Sequence, residues 1–208
     1  MPGKPEKLGL YGGSFDPFHV GHLRPVRRAR EALGLDRVLY LPTAEPPHKQ
    51  DRWQAPGPVR YAMVELALLD EAGLYASAHE LTPGKVSYTV QTLEDFQRDR
   101  PGTDLHLLIG GDSFLDLERW FQWERIIELA RLVILPRPGF GVGALVDRAS
   151  PPLRRLLDSG RAVEIDEPTL IDISSTEIKR QIRQGETGYR SLIPDLVLEY
   201  MDKYELYR

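Results

Sequence analysis

The stretch Lys7-Leu8-Gly9-Leu10-Tyr11-Gly12-Gly13-Ser14-Phe15-Asp16-Pro17-Phe18-His19-Val20-Gly21-His22 decides the fold class. Its first five residues, with Leu8, Leu10 and Tyr11, read as a buried strand. Two glycines end the run. Beyond them Leu23, Val26 and Leu33 form an apolar stripe on a helix from Val20 to Leu33, closed by Gly34. The segment therefore reads as strand, tight turn and helix. Gly12 and Gly13 remove side chains where a backbone approaches a ligand closely. Exposed amides there, with a helix N-terminus behind them, make an anion site. Gly21 weakens the helix that it begins, which suits a close-approach role. His19 and His22, three residues apart, project from one side of the first helical turn. Two imidazoles beside a phosphate donate hydrogen bonds to a charge-loaded transition state, with no side-chain nucleophile needed. Taken singly, Gly-Gly is only a tight turn and a histidine only a surface or core residue. A metal site of both histidines with Asp16 is disfavoured, because Asp16 precedes Pro17 in the loop and no fourth ligand is evident.

The same alternation continues along the chain. Arg37 to Leu41, Leu105 to Ile109 and Leu132 to Leu135 read as further buried strands, with Tyr75 to His79 and Arg161 to Ile165 as weaker ones. Helical spacing joins Val59, Met63, Leu66 and Leu69, then Val90, Leu93 and Phe96, then Ile126, Ile127 and Ala130. Ser174 to Arg183 and Pro194 to Tyr204 read as two final helices, with Pro194 opening the second. Strands alternating with helices predict right-handed βαβ units and a doubly wound α/β parallel sheet covered on both faces. Ligands then bind beyond the C-terminal ends of the strands. Pro42 to Pro58 and Pro136 to Pro152 read as loops. The expectation is one domain over 1–208, with the C-terminal helices at 174–204 completing the phosphate site and packing on the sheet.

Composition narrows the class. The 208 residues carry a net charge of -4, with 41% hydrophobic and 28% charged residues. That is an ordinary globular balance, and its mild acidity excludes a broad nucleic-acid binder. With no cysteine, thiolate zinc sites and cysteine nucleophiles are excluded. No apolar run reaches membrane-spanning length, and the first residues lack the apolar core of a signal peptide, so a cytoplasmic location is expected.

A second chemical segment lies near the C-terminus, Ile173-Ser174-Ser175-Thr176-Glu177-Ile178-Lys179-Arg180. Ser174 is placed as an N-cap, with Glu177 as the return half of a capping box. Hydroxyls at a helix N-terminus also form an anion site, to which Lys179 or Arg180 adds charge.

Gly13-x-Phe15-x-Pro17-x-His19-x-Gly21-His22 resembles the phosphate-binding signature of the HxGH nucleotidyltransferase superfamily, and residues 173–179 resemble its ISSTxxR signature. The resemblance implies a Rossmann-like nucleotidyltransferase fold. It implies ATP contacts from Gly12, Gly13, Ser14, Phe15, Gly21, Ser174, Ser175 and Thr176, with His19 and His22 stabilising the transition state. Lys179 stands where arginine is usual, and lysine supplies charge without a bidentate fork. Either Lys179 or Arg180 takes that role.

Over nearly the whole chain, Leu8 to Arg208, the sequence resembles bacterial nicotinate mononucleotide adenylyltransferases. The resemblance implies a phosphate contact, grouped with the catalytic histidines, from Lys49 of Pro46-Pro47-His48-Lys49. It implies nicotinate contacts from Ser87-Tyr88-Thr89, through Tyr88 and Thr89. It implies adenosine contacts from Gly110 and Asp112 of Ile109-Gly110-Gly111-Asp112-Ser113. Trp120 would stack on the pyridine ring. Phe121 and Trp123 are read as core packing. Arg137, in Leu135-Pro136-Arg137-Pro138-Gly139, would reach a phosphate or the nicotinate side. The ending Leu192 to Arg208 is read as packing.

The expected activity is transfer of AMP from ATP to nicotinate mononucleotide, giving deamido-NAD and pyrophosphate. Mg²⁺ would arrive on the phosphates, with no protein metal site. Expected partners are these two small molecules, without nucleic acid or membrane, and with homo-oligomerisation left open. Rival readings are another acceptor, nicotinamide mononucleotide or phosphopantetheine, a cytidylyltransferase, or a non-catalytic nucleotide-binding module.

Overall fold

The computed structural model describes residues 4–44, 54–82, 87–136, 143–166 and 171–208. Six strands form one sheet: β1 (Lys7–Gly13), β2 (Arg37–Pro42), β3 (Leu74–Ala76), β4 (Asp104–Gly110), β5 (Arg131–Leu135) and β6 (Ala162–Glu164). Their order is β3-β2-β1-β4-β5-β6. The order changes direction between β1 and β4, the topological switch point of a doubly wound sheet. Around the strands run helices α1 (Val20–Leu33), α2 (Gly57–Leu68), α3 (Thr89–Asp99), α4 (Gly111–Leu115), α5 (Trp123–Leu129), α6 (Ala144–Arg148), α7 (Pro151–Asp158), α8 (Ser175–Arg183) and α9 (Asp195–Lys203). Short 3-10 turns occupy Leu117–Arg119 and Gly188–Leu192. Among the described residues, no helix is long and apolar enough to cross a membrane.

The chain divides into two compact units. The first comprises Met1–Tyr11, Pro25–Val38 and Tyr88–Leu170. Here β1, β4, β5 and β6 pair in parallel, with Leu10 beside Leu107, Ile109 beside Ile134 and Leu132 beside Ala162. Leu105 to Gly110 are buried without a break. Apart from the buried His106 the run is apolar, and its burial without alternation is what a parallel strand covered on both faces requires.

The second unit comprises Gly12–Arg24, Leu39–Ser87 and Ile171–Arg208. Phe15, Phe18, Tyr40, Met63, Val197 and Met201 are buried in it. On α2 the buried residues are Arg60, Met63, Val64, Ala67 and Leu68. The predicted stripe of Val59, Met63, Leu66 and Leu69 has the right period but the wrong phase, and Leu69 is 63% exposed. A charged residue heads the true stripe, which hid it.

The stretch Pro136 to Pro152, read as loop, holds α6 and the start of α7. Ser150 caps α7 by accepting from the Leu153 amide, and Pro151 and Pro152 occupy its first turn, where the lack of an N–H costs nothing. The strand candidates at 75–79 and 161–165 shrink to three residues each. Ser174 does cap α8, accepting from the Glu177 amide. The return half of the expected capping box is diverted, since the Glu177 carboxylate pairs with Arg180 and Gln181.

Gly9 in β1 shows how tightly the first unit is packed. A Cβ there would lie 2.9 Å from Val38 Cγ2, 3.1 Å from Leu108 Cδ1 and 3.2 Å from Leu35 Cδ1. Gly9→Val is expected to destabilise the protein by about 1–3 kcal/mol through overpacking. Thermal unfolding measures this, and an unchanged melting temperature would contradict the packing described.

Candidate active site

In the second unit the turn after β1 is built on a buried aromatic floor. Phe15 is 1% exposed and lies at φ +49°, a left-handed conformation that strains a bulky residue. Its ring meets His22 edge-on at 5.2 Å and packs against Phe18 and Tyr40. A Cβ on Gly13 would come within 2.9 Å of that ring, so glycine is required there by Phe15 itself. A Cβ on Gly12 would meet nothing within 4 Å, so this residue faces open space. Phe15 is an expected ATP contact from the resemblance. The structure places its ring beneath the turn.

The two histidines stack, with ring centroids 3.8 Å apart and planes 28° from parallel. Each uses Nδ1 as an acceptor. His19 Nδ1 takes the Gly21 amide at 3.2 Å, and His22 Nδ1 takes the His19 amide at 3.3 Å. A ring nitrogen that accepts carries no proton, so both imidazoles are assigned the neutral Nε2–H tautomer. Gly21 permits this arrangement. A Cβ there would lie 3.0 Å from His19 Nδ1, His19 Cε1 and Ile173 Cγ2. The Tyr40 hydroxyl donates to the His22 carbonyl at 3.1 Å and anchors the start of α1.

Beneath the turn lies a group of charges. Arg60, 1% exposed, donates to the carbonyls of Ala55, Ser14, Thr43 and Ala44 at 2.6–3.0 Å. Because the peptide is planar and trans, a Ser14 carbonyl aimed at Arg60 turns the Phe15 amide the opposite way. Burial lowers the pKa of this guanidinium, and the charge of Asp16 opposes that shift. Asp16 is also buried. Its Oδ1 accepts from the Tyr207 hydroxyl at 2.7 Å and the Ala55 amide at 3.1 Å, and its Oδ2 accepts from Lys179 Nζ at 2.6 Å. Burial and the Asp16 charge push the Tyr207 phenol far above its ordinary pKa. Asp16 is thus committed to Lys179, Tyr207 and Ala55, not to the histidines.

The second signature meets the first through Ser175, whose hydroxyl donates to the Pro17 carbonyl at 3.0 Å. Ser174 is engaged as the cap, and Thr176 is exposed at the first turn of α8. Lys179 points inward to Asp16. Arg180 points outward to Glu177, Gln184 and Glu186. The hydrogen bonds from Arg180 and Gln181 hold the Glu177 carboxyl at about 2.

In the first unit, Gly110 ends β4 as the N-cap of α4, and Asp112 is exposed in the first turn of that helix. Tyr88 is the N-cap of α3 and Thr89 its first residue. No side chain caps this helix. Tyr88 and Phe121 are 42% and 52% exposed, and their rings lie 4.9 Å apart. Phe121 was expected in the core and is not there. The 3-10 turn before it ends at Trp120 and leaves the next side chain on the surface. Trp120 and Trp123 are half-buried. Lys49 and Arg137 lie outside the described residues.

Arg60 and Tyr207 were missed in the sequence, and the role of Asp16 was not foreseen. Arg60 left one signal, a charge in phase with Met63, Val64 and Ala67 on the buried face of α2. Tyr207 left none, since its partner is 191 residues away.

Comparison with known proteins bears on this arrangement. The cytidylyltransferase-like family model matches residues 10–181. A probable nicotinate-nucleotide adenylyltransferase of Clostridium tetani is 34% identical over 203 residues, spanning 98% of this chain and 100% of its own. One from Pseudomonas putida is 37% identical over 217 residues, spanning 97% and 95%. Among solved structures, the nicotinic acid mononucleotide adenylyltransferase of Plasmodium falciparum complexed with NaAD superposes with a TM-score of 0.78 over 97% of both chains. At 18% identity, that likeness speaks to the fold. Its complex with APC gives 0.76 at 17% identity. With its glycine turn, stacked histidines and hydroxyl-capped second signature, the chain belongs to the nicotinate-nucleotide adenylyltransferase family of the cytidylyltransferase-like nucleotidyltransferases.

Proposed function

We propose that this protein transfers AMP from ATP to the 5′-phosphate of nicotinate mononucleotide, forming nicotinate adenine dinucleotide and releasing pyrophosphate. A phosphate oxygen of the mononucleotide attacks the α-phosphorus. The bond from that phosphorus to the bridging oxygen of the β-phosphate breaks, and pyrophosphate departs with the electron pair. The acceptor phosphate is ionised at neutral pH, so no general base is needed. What the protein supplies is alignment and charge stabilisation.

The observation that carries this reading is the stacked histidine pair, both rings assigned as Nε2–H donors. A neutral N–H donor offers a hydrogen bond to a phosphoryl oxygen without accepting a proton from it. The amides of Gly12, Gly13 and Ser14 and the N-terminus of α8, with Ser174, Ser175 and Thr176, are assigned to the triphosphate. Lys49 is assigned to the phosphates as well. Gly110 and Asp112 are assigned to the adenosine, and Tyr88, Thr89, Trp120 and Arg137 to the nicotinate side. Among the described residues, no group of three or more acidic or imidazole ligands could hold a metal. Mg²⁺ would arrive on the triphosphate, held by phosphate oxygens and water, where it would neutralise triphosphate charge. The reaction is placed in the cytoplasm.

His22→Ala is expected to lower kcat by about 100–1,000-fold, with a much smaller change in KM for ATP. Steady-state pyrophosphate release tests this, and near-normal kcat would remove His22 from the mechanism. Competing acceptors test the substrate. The kcat/KM for nicotinate mononucleotide is expected to exceed that for nicotinamide mononucleotide, and the reverse order would replace the named acceptor. Chelation by excess EDTA should abolish turnover, and added Mg²⁺ should restore it. Turnover that persists under chelation would contradict a metal-borne triphosphate.

A further inference from the structure

We propose that Lys179, the cation of the second signature, is a positioning residue that acts on the buried Asp16 carboxylate and is not a ligand of the triphosphate. The proposal rests on reading the histidine turn as the catalytic site. Its geometry is specific. Lys179 Nζ lies 2.6 Å from Asp16 Oδ2, with the two side chains only 15% and 2% exposed. The ammonium also lies 5.9 Å from the centre of the Tyr207 ring. Asp16 is buried in a wall that includes Phe15, Met63 and Tyr207. Burying a carboxylate is costly unless it is paired and hydrogen-bonded. Were Lys179 to swing to a triphosphate, it would leave that carboxylate without its ion-pair partner.

The pair sits where it governs the histidines. Asp16 belongs to the four-residue connector from Ser14 to Pro17, which leads through Phe18 into His19. Every residue of that connector is held. Arg60 grips the Ser14 carbonyl, and Phe15 is buried against His22. Lys179, Tyr207 and the Ala55 amide hold Asp16, and Ser175 holds the Pro17 carbonyl. Two of these contacts come from α8, four residues apart. Lysine suits the position, because one carboxylate oxygen needs a point charge and not a planar fork. This accounts for the departure from arginine in the second signature. Arg180, engaged with Glu177 and Glu186 at the surface, does not substitute for it.

The test is a double-mutant cycle of Lys179→Met and Asp16→Asn in the full chain, read by kcat, by ATP affinity from titration calorimetry and by melting temperature. Lys179→Met should lower kcat about tenfold or more through displacement of the histidines, while ATP affinity changes by less than about threefold. The double variant should be no worse than the poorer single one, because a neutral amide in place of the carboxylate no longer needs the cation. Multiplying effects, or a loss of ATP affinity above about tenfold at unchanged melting temperature, would make Lys179 a phosphate ligand and overturn the proposal. Should Lys179→Met fail to fold, Tyr207→Phe takes its place. It removes one donor from the same carboxylate and should lower kcat without weakening ATP, whereas weakened ATP at normal kcat overturns the proposal. ATP affinity and melting temperature need no turnover, so they test this inference even if the unaltered protein proves inactive on nicotinate mononucleotide.

Discussion

A buried carboxylate must be paired, and in this protein the pairing of Asp16 organises the second unit. Three donors from distant parts of the chain converge on one side chain: Ala55, Lys179 and Tyr207. Ala55 and Tyr207 share Oδ1 and Lys179 takes Oδ2, so both oxygens are satisfied where water is excluded. Their convergence pins the connector between β1 and α1, and with it His19 and the start of the helix that carries His22. Arg60 completes the frame by donating to four carbonyls, one of them in the same connector. The cost of burying these charges is offset only while every partner is present. The network is therefore cooperative, and local freedom in the connector is low.

Above that frame, glycine makes the chemistry possible by absence. Gly21 leaves room for the His19 ring, and the ring then takes the Gly21 amide on Nδ1. The next link repeats the device, with the His19 amide on His22. Two backbone donors thus set two tautomers. A fold that fixes tautomers with its backbone does not depend on a third side chain to orient each histidine, as a catalytic triad does. The fixed donors cost no reorganisation when charge develops, which is the source of electrostatic catalysis.

Much of the fold was legible because buried parallel strands have a plain signature. Leu132 to Leu135 is a continuous apolar run, and Leu105 to Ile109 is one but for His106, a length and composition that suit a buried strand. Helix α1 was legible from its stripe and from Gly34. Misreadings arose where one residue type serves two structures. Pro151 and Pro152 look like loop residues and are the first turn of α7. Arg60 looks like a surface charge and heads the buried face of α2. In the site, the local parts were legible: the glycines, the two histidines and the Ser174 cap. The long-range parts were not, because no local pattern records that Tyr207 and Lys179 meet Asp16. Phe121 failed for a related reason, since the turn that ends at Trp120 decides its exposure and not its hydropathy.

The fold presents His19 and His22 as a matched pair of Nε2–H donors. Nitrogen chemical shifts of the histidine side chains, recorded by NMR on the uniformly labelled protein near neutral pH, report it directly. For both residues the expected result is a protonated Nε2 and an unprotonated Nδ1. Protonation at Nδ1 of either ring, as the other tautomer or as imidazolium, would contradict the assigned hydrogen bonds and the mechanism built on them.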